Sequence, residues 1–322
     1  MTKPSVRDVA AYANVSTATV SHVLNGTRPV NKETADKVMN AVEVLQYKPN
    51  FAARNLRTGK QRAIAFVVPD ISNHFFSSLV ENIEESLFDQ GYHLVVANSK
   101  ERADRELEHL RYFASGVVDG LIVASALDDC TGLNGILPPS FPAVFVDRLP
   151  KNTLWDSITI SSKGAVVDAV NYLCASGHDR IGYISCLPHL STSKERFASF
   201  IQALEKNGLA PSEDTVCTAL FDGSDMVECT ERLIAAGCTS IVISNGLLTF
   251  EAQQYLWKTG KYDAVKLVGF RDDYFLSAGS CYISKPVDLL GNRAVEQIIK
   301  RINGNDEPVK EIVLNCSFVN DK

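Results

Sequence analysis

From Ala63 onward the chain repeats one pattern: a short run rich in Val and Ile, then an amphipathic segment, then the next apolar run. "AIAFVVPD", "HLVVANS", "GLIVAS" and "PAVFVDR" form one series, with helices predicted over 76–90 and 102–115 and a weaker one near Leu133. "RIGYISC", "SIVISN" and "KLVGFRD" form a second, with helices near 163–176, 194–207, 225–236 and 249–259. A helix over 287–303 and a strand in "EIVLNCSFV" close the chain. The strand–helix–strand spacing demands parallel sheets with helices on both faces. Two such series predict two doubly wound lobes. Ligands of such sheets bind at the carboxyl ends of the strands.

The first 62 residues obey a different rule. They carry ten Lys or Arg and four acids, a net +6, whereas the whole chain is −6 and the remainder therefore −12. A small basic module on a large acidic one points to a polyanionic partner. Val6, Val9, Ala10 and Ala13 recur at helical spacing, Asn14 suits a left-handed turn, and Ser16 can cap a second helix ending at Asn25-Gly26. Asn31 can cap a third, with Ala35, Val38, Met39, Val42 and Leu45 as its apolar face. This is the helix-turn-helix plan. The outer face of the second helix, "STATVSH", holds only short or compact residues, which lets it enter a major groove about 12 Å wide. His22 can donate to a purine acceptor there. Pro49 ends the third helix, and Asn50 can cap one more short helix over 51–57. Such a helix is marginal in water and needs a partner to persist. Arg54 and Arg57 suit phosphates or a narrow minor groove, and Leu56 is a large apolar residue of the kind minor-groove binders wedge between base steps.

Other function classes find no support in the residues. No Gly-x-Gly-x-x-Gly or Walker loop follows a strand, "TGLNGIL" has the wrong spacing, no Gly-x-Ser-x-Gly elbow occurs, and the six His are not grouped as ligands. The eight Cys are scattered without a Cys-x-x-Cys, which reads as reduced, buried thiols. The start "MTKPSVRDVA" lacks the pattern of a signal peptide, and no apolar run is long enough for a membrane span. The expectation is a cytoplasmic protein that is not an enzyme, needs no cofactor or metal and has no membrane partner.

Val6 to Lys60, "VRDVAAYANVSTATVSHVLNGTRPVNKETADKVMNAVEVLQYKPNFAARNLRTGK", resembles without a gap the DNA-binding head of the lactose-repressor (LacI/GalR) family, and most of all its purine-repressor branch. "VVPDISNHFFSSLVENIEESLFDQGYHLVVANS", "VDGLIVAS", "FPAVFVDR", "SGHDRIGYIS", "ERFASFIQAL" and "LVGFRDD" extend the resemblance to the family's effector-binding core, which is similar to periplasmic sugar-binding proteins. The resemblance implies an all-α helix-turn-helix head with a hinge helix, followed by an α/β core of two doubly wound parallel-sheet lobes. The implied boundaries are 1–48 for the DNA-binding domain, 49–61 for the hinge helix and linker, and 62–322 for the effector-binding and dimerisation core. Within the core, the N-lobe would be 62–160 plus 289–322 and the C-lobe 161–288.

Carried onto this sequence, the resemblance places Thr17, Ala18 and His22 against bases and Ser16, Ser21 and Asn25 near the DNA backbone. "AARNL", with Ala53 and Arg54, becomes the hinge helix beside Asn50 and Arg57, and Leu56 the wedge. In the cleft it implies an aromatic wall of Phe75 and Phe76, Ser125 and Asp147-Arg148 at strand ends, Thr192 and Arg196 at the head of a helix, and Asn245 on the same rim. Where sugar-binding members carry an Asp after Gly-Phe, this chain has Arg271, followed by Asp272 and Asp273. Arg148, Arg196 and Arg271 together would favour an anionic effector such as a sugar acid or sugar phosphate. The alternative is a one-residue shift in which Asp272 restores the usual role. The implied protein is a repressor of a carbohydrate or related catabolic operon that binds near-palindromic double-stranded operator DNA as a homodimer or dimer of dimers, under a small-molecule effector. A periplasmic-type solute receptor without DNA function is the rival, and the N-terminal module argues against it.

Overall fold

The computed structural model describes residues 4–25, 28–48, 59–220, 222–271 and 281–320, the side chain of Asn25 excepted. The hinge segment 51–57 lies outside the described residues, with Asn50, Ala53, Arg54, Leu56 and Arg57, and so do Asp272 and Asp273. The chain forms two compact units that divide between Lys60 and Gln61.

The first unit holds helices α1 (Val6–Ala13), α2 (Thr17–Asn25) and α3 (Lys32–Val44). Ser5 and Asp8 form a reciprocal capping box at the start of α1, and Asn14 ends it in a left-handed conformation (φ 54°). The Ser16 hydroxyl accepts from the Thr19 amide at 3.0 Å and Asn31 from the Thr34 amide at 2.8 Å, so both later helices start on a side-chain cap. Val9, Ala10, Ala13, Val20, Val38 and Ala41 are buried together. Met39, expected in this core, is instead half exposed: it follows Val38 by one residue, 100° around the helix, and so leaves the buried stripe.

The second unit contains two six-stranded sheets. The first has the order β11–β5–β4–β3–β1–β2 and is parallel throughout. Its strands are β1 (Ala63–Val68), β2 (His93–Asn98), β3 (Gly120–Val123), β4 (Ala143–Asp147), β5 (Asp156–Ser161) and β11 (Glu311–Asn315). Helices α4 (His74–Phe88) and α5 (Ala103–Tyr112) follow β1 and β2. The second sheet has the order β12–β10–β9–β8–β6–β7, parallel except for β12 against β10. Its strands are β6 (Ile181–Ser185), β7 (Val216–Thr218), β8 (Ser240–Ile243), β9 (Lys266–Phe270), β10 (Cys281–Ser284) and β12 (Ser317–Asn320). They alternate with α6 (Lys163–Ala175), α7 (Ser191–Lys206), α8 (Met226–Ala235) and α9 (Gly246–Lys258), and α10 (Val287–Ile302) returns to pack on α4. At that crossing a Cβ on Gly291 would sit 2.0 Å from the Asn82 amide oxygen, so any larger residue would force the Asn82 side chain to move.

The chain passes between lobes three times: at Ser161-Ser162, at Ser284–Val287 and at Cys316. The last crossing corrects the expected N-lobe segment 289–322. The run "EIVLNCSFV" splits at Cys316, whose amide donates to the Ser161 carbonyl at 2.9 Å, and Ser317–Asn320 joins the C-lobe sheet. The predicted helix near Leu133 is a single 3-10 turn over Leu133–Gly135. Among the described residues no helix is long and apolar enough to cross a membrane, and no group of His, Cys, Asp or Glu could hold a metal ion.

Candidate functional site

In the head, Ser16, Thr17 and Ala18 are exposed around the start of α2, and Ser21 and His22 are half-buried one turn on. Positions four apart share a helix face, so Thr17 with Ser21 and Ala18 with His22 form one short-chain surface. Val20 is fully buried on the opposite side. Free amides at the helix start and nearby hydroxyls can bond phosphate oxygens, and the Thr and Ala methyls can meet thymine methyls. The expected result of His22→Ala is a changed preference at one base position per half-site, worth about 1–3 kcal/mol. A binding-site selection that returns the same consensus for both proteins would remove His22 from base readout.

In the core, the sequence-predicted residues gather at the carboxyl ends of strands from both lobes, but they are not equally available. Phe75 and Phe76 open α4, are both buried, and meet edge-on at 5.0 Å. Each also carries a cation on its face: the Lys285 ammonium 3.8 Å from the Phe75 ring centre and the Arg148 guanidinium 5.7 Å from that of Phe76. Ser125 is fully buried. Its hydroxyl donates to Glu106 Oε1 at 2.5 Å and accepts from the Leu127 amide at 3.1 Å, so it braces the loop after β3 instead of offering the expected ligand contact. Asn245 is similarly committed: its Oδ1 caps α9 through the Leu248 amide at 2.8 Å, and its Nδ2 faces the Cys186 sulfur at 2.9 Å.

Arg148 is 6 % exposed and forked onto Glu101, with N–O distances of 2.7 and 2.6 Å, while Nη1 also donates to the Ser125 carbonyl at 3.1 Å. Asp147, itself left-handed at φ 64°, stands 3.8 Å from its Nε. Burial opposes the Arg148 charge, but Glu101 outweighs it and the group is held above its ordinary value. Its charge is therefore compensated inside the protein. Glu106, fully buried behind Ser125, is pushed up by burial despite hydrogen bonds from Ser125 and the Ala126 amide.

Arg196 is different. It is 7 % exposed; Nη1 donates to the Ser244 carbonyl at 2.7 Å and Nε to the Ser162 hydroxyl at 3.3 Å. Its guanidinium lies 4.1 Å from the Phe270 ring centre. Among the described residues no carboxylate forms an ion pair with it. Thr192 is half-buried in the first turn of the same helix. Arg271, also half-buried, donates through Nη1 to the Tyr282 hydroxyl at 2.6 Å and stacks over that ring at 4.8 Å.

Sequence reasoning missed several members of this site. Glu101 was invisible because its partner Arg148 lies 47 residues away. Lys285 follows β10, which is too short to announce itself, and bridges Phe75 and Phe270, the latter at 5.6 Å. Glu195 precedes Arg196 and accepts from the Ser161 hydroxyl at 3.0 Å and the Ser162 amide at 2.7 Å, so one turn of α7 grips both the crossover and the arginine.

A head with the helix-turn-helix plan, joined to a two-lobed α/β core with a polar site at its strand ends, defines a DNA-binding regulator with a periplasmic-binding type of ligand domain. Residues 5–50 match "Bacterial regulatory proteins, lacI family", and residues 61–322 match "Periplasmic binding proteins and sugar binding domain of LacI family". The chain belongs to the lacI family of bacterial regulatory proteins. The HTH-type transcriptional repressor PurR of Pasteurella multocida is 30 % identical over 98 % of this chain and 97 % of its own length. The lac repressor dimer bound to operator and an anti-inducer has the same fold, with a TM-score of 0.86 at 22 % identity over 100 % of this chain and 99 % of that one. A putative ribose operon repressor from Burkholderia thailandensis gives 0.71 at 28 % identity over 80 % and 99 %.

Proposed function

We propose that the protein represses transcription in the bacterial cytoplasm by binding near-palindromic operator DNA as a homodimer, and that a small anionic ligand between the lobes sets its DNA affinity. The lacI-family head and the repressor names of its relatives support the first part. Arg196 carries the second. A buried guanidinium that no carboxylate pairs with among the described residues is costly, and a sugar acid or sugar phosphate would supply a planar partner. Arg148 makes no such demand, because Glu101 already neutralises it.

The control is a population shift between lobe angles. Arg196 and Glu195 both hold Ser162 at a crossover, so an anion that draws Arg196 away acts directly on the interlobe connection. Residues 49–61 then pass the change to the head as a hinge helix that forms with its twin on DNA. Selection from randomised duplex DNA tests the reading: enrichment of a near-palindrome supports it, and no enrichment over random sequence sinks it. On the selected site, Leu56→Ala should weaken binding by on the order of a few kcal/mol while leaving ligand binding intact, since a wedge at the operator centre permits the bend on which other contacts depend. Unchanged affinity together with unchanged bending would rule the wedge out.

A further inference from the structure

The C-lobe holds two thiols that the ligand site does not use. Cys217 is the middle residue of β7, and Cys229 faces it from the first turns of α8. Both are buried, and their sulfurs are 2.6 Å apart, the one sulfur–sulfur contact among the described residues. All eight cysteines are free thiols.

The position of the pair gives it a consequence. β7 is a three-residue edge strand paired in its sheet with β6, with Thr218 opposite Ser185, and Arg232 of α8 donates through Nη2 to the Val216 carbonyl at 2.8 Å. Ser185 leads into Cys186, which meets Asn245 on the rim of the ligand site. The Ala219 amide donates to the Ser185 carbonyl at 2.8 Å, so the connection from β7 to α8, described at 219–220 and 222–225, leaves from that same rim. A link between Cys217 and Cys229 would close this segment at its base.

We propose that Cys217 and Cys229 are an oxidative modification site, where a peroxide forms a disulfide that fastens the rim segment 219–225 to α8. The bond stands independently of the ligand assignment; only its effect on the ligand site rests on the function proposed above. One thiolate attacks a peroxide oxygen, the O–O bond breaks, and a sulfenic acid and one water result. The second thiol attacks the sulfenic sulfur, the S–O bond breaks, the S–S bond forms and a second water leaves. The two thiols lose two electrons and two protons, and the peroxide is reduced to two waters. Burial and the Cys217 sulfur push the Cys229 thiol up to about 12, which keeps it protonated at neutral pH and makes the reaction slow beside that of an exposed, low-pKa thiol.

The test uses the full chain, purified reduced, desalted and exposed to hydrogen peroxide. Thiols counted after unfolding should fall from eight to six, and return to eight with dithiothreitol. Peptide mapping should show a single Cys217–Cys229 cross-link. Amide exchange over 219–225 should slow on oxidation in the wild type and stay unchanged in Cys229→Ser and Cys217→Ala. A count that stays at eight, over-oxidation to sulfinic acid without a cross-link, or a bond between other cysteines would overturn the site. Unchanged exchange with the bond in place would overturn the fastening of the rim.

Discussion

Arg196→Ala is expected to abolish the ligand response while leaving operator binding intact. The side chain is buried, stacked on Phe270 and bonded to Ser162 and Ser244, and no carboxylate among the described residues pairs with it. Truncating one partner of a buried, hydrogen-bonded charge pair costs about 2–5 kcal/mol, which is roughly 30- to several-thousand-fold in affinity. Arg196→Lys should recover only part of this, because an ammonium keeps the charge and loses the planar fork. Calorimetry against sugar acids and sugar phosphates, each paired with its neutral parent sugar, measures the effect. Neutral sugars that bind as tightly as their anionic counterparts, to wild type and Arg196→Ala alike, would contradict the anionic-ligand reading. Arg271→Ala makes a graded comparison: its guanidinium already has the Tyr282 hydroxyl and ring, so a smaller loss is expected there.

Asp156→Ala should destabilise the core by about 3–5 kcal/mol, the cost of leaving a buried ion pair broken. Asp156 is 2 % exposed and accepts four hydrogen bonds: from Arg301 Nε at 2.6 Å and Nη2 at 2.7 Å, from Gln297 at 2.8 Å and from the Lys310 amide at 2.7 Å. It thereby ties β5 to α10 and to the start of β11. Burial acts to raise its carboxyl, but Arg301, Gln297 and Lys310 outweigh burial and hold it below the ordinary value. A depressed folded value means that the stabilisation is complete above the unfolded value near 4 and is lost as pH falls through the folded one. Denaturant unfolding between about pH 3 and 7 should therefore show the wild type losing stability in acid more steeply than Asp156→Asn. Equal slopes for the two proteins would show that Asp156 is not the group responsible.

The alternating apolar runs made the two lobes readable, because a strand buried on both faces must be apolar throughout. The strands that escaped notice lack this signature. β5, "DSITIS", alternates and begins with the buried Asp156, while β7 and β10 are only three and four residues long. "EIVLNCSFV" reads as one strand because hydropathy does not register a change of sheet; the break at Cys316 is set by its bond to Ser161, far away in the chain. The candidate site shows the same division. The family resemblance pointed to Arg148 and Arg271 after strands and to Arg196 at the head of a helix, yet whether each is available depends on partners contributed by other elements. Glu101 silences Arg148, Tyr282 engages Arg271, and Ser125 and Asn245 spend their polar atoms on Glu106, Leu127, Leu248 and Cys186. Burial of a charge is a property of the assembled sheet ends, and no local pattern announces it.

Sequence-specific DNA binding by this chain is measurable in a salt-titrated gel shift. The selected near-palindrome is compared with a random duplex of equal length. The near-palindrome should be bound at least about 10³-fold more tightly at physiological salt. The logarithm of both affinities should fall linearly with the logarithm of salt concentration, as phosphate contacts release counterions. Equal affinity for the two duplexes at every salt concentration, or no binding to either, would contradict it.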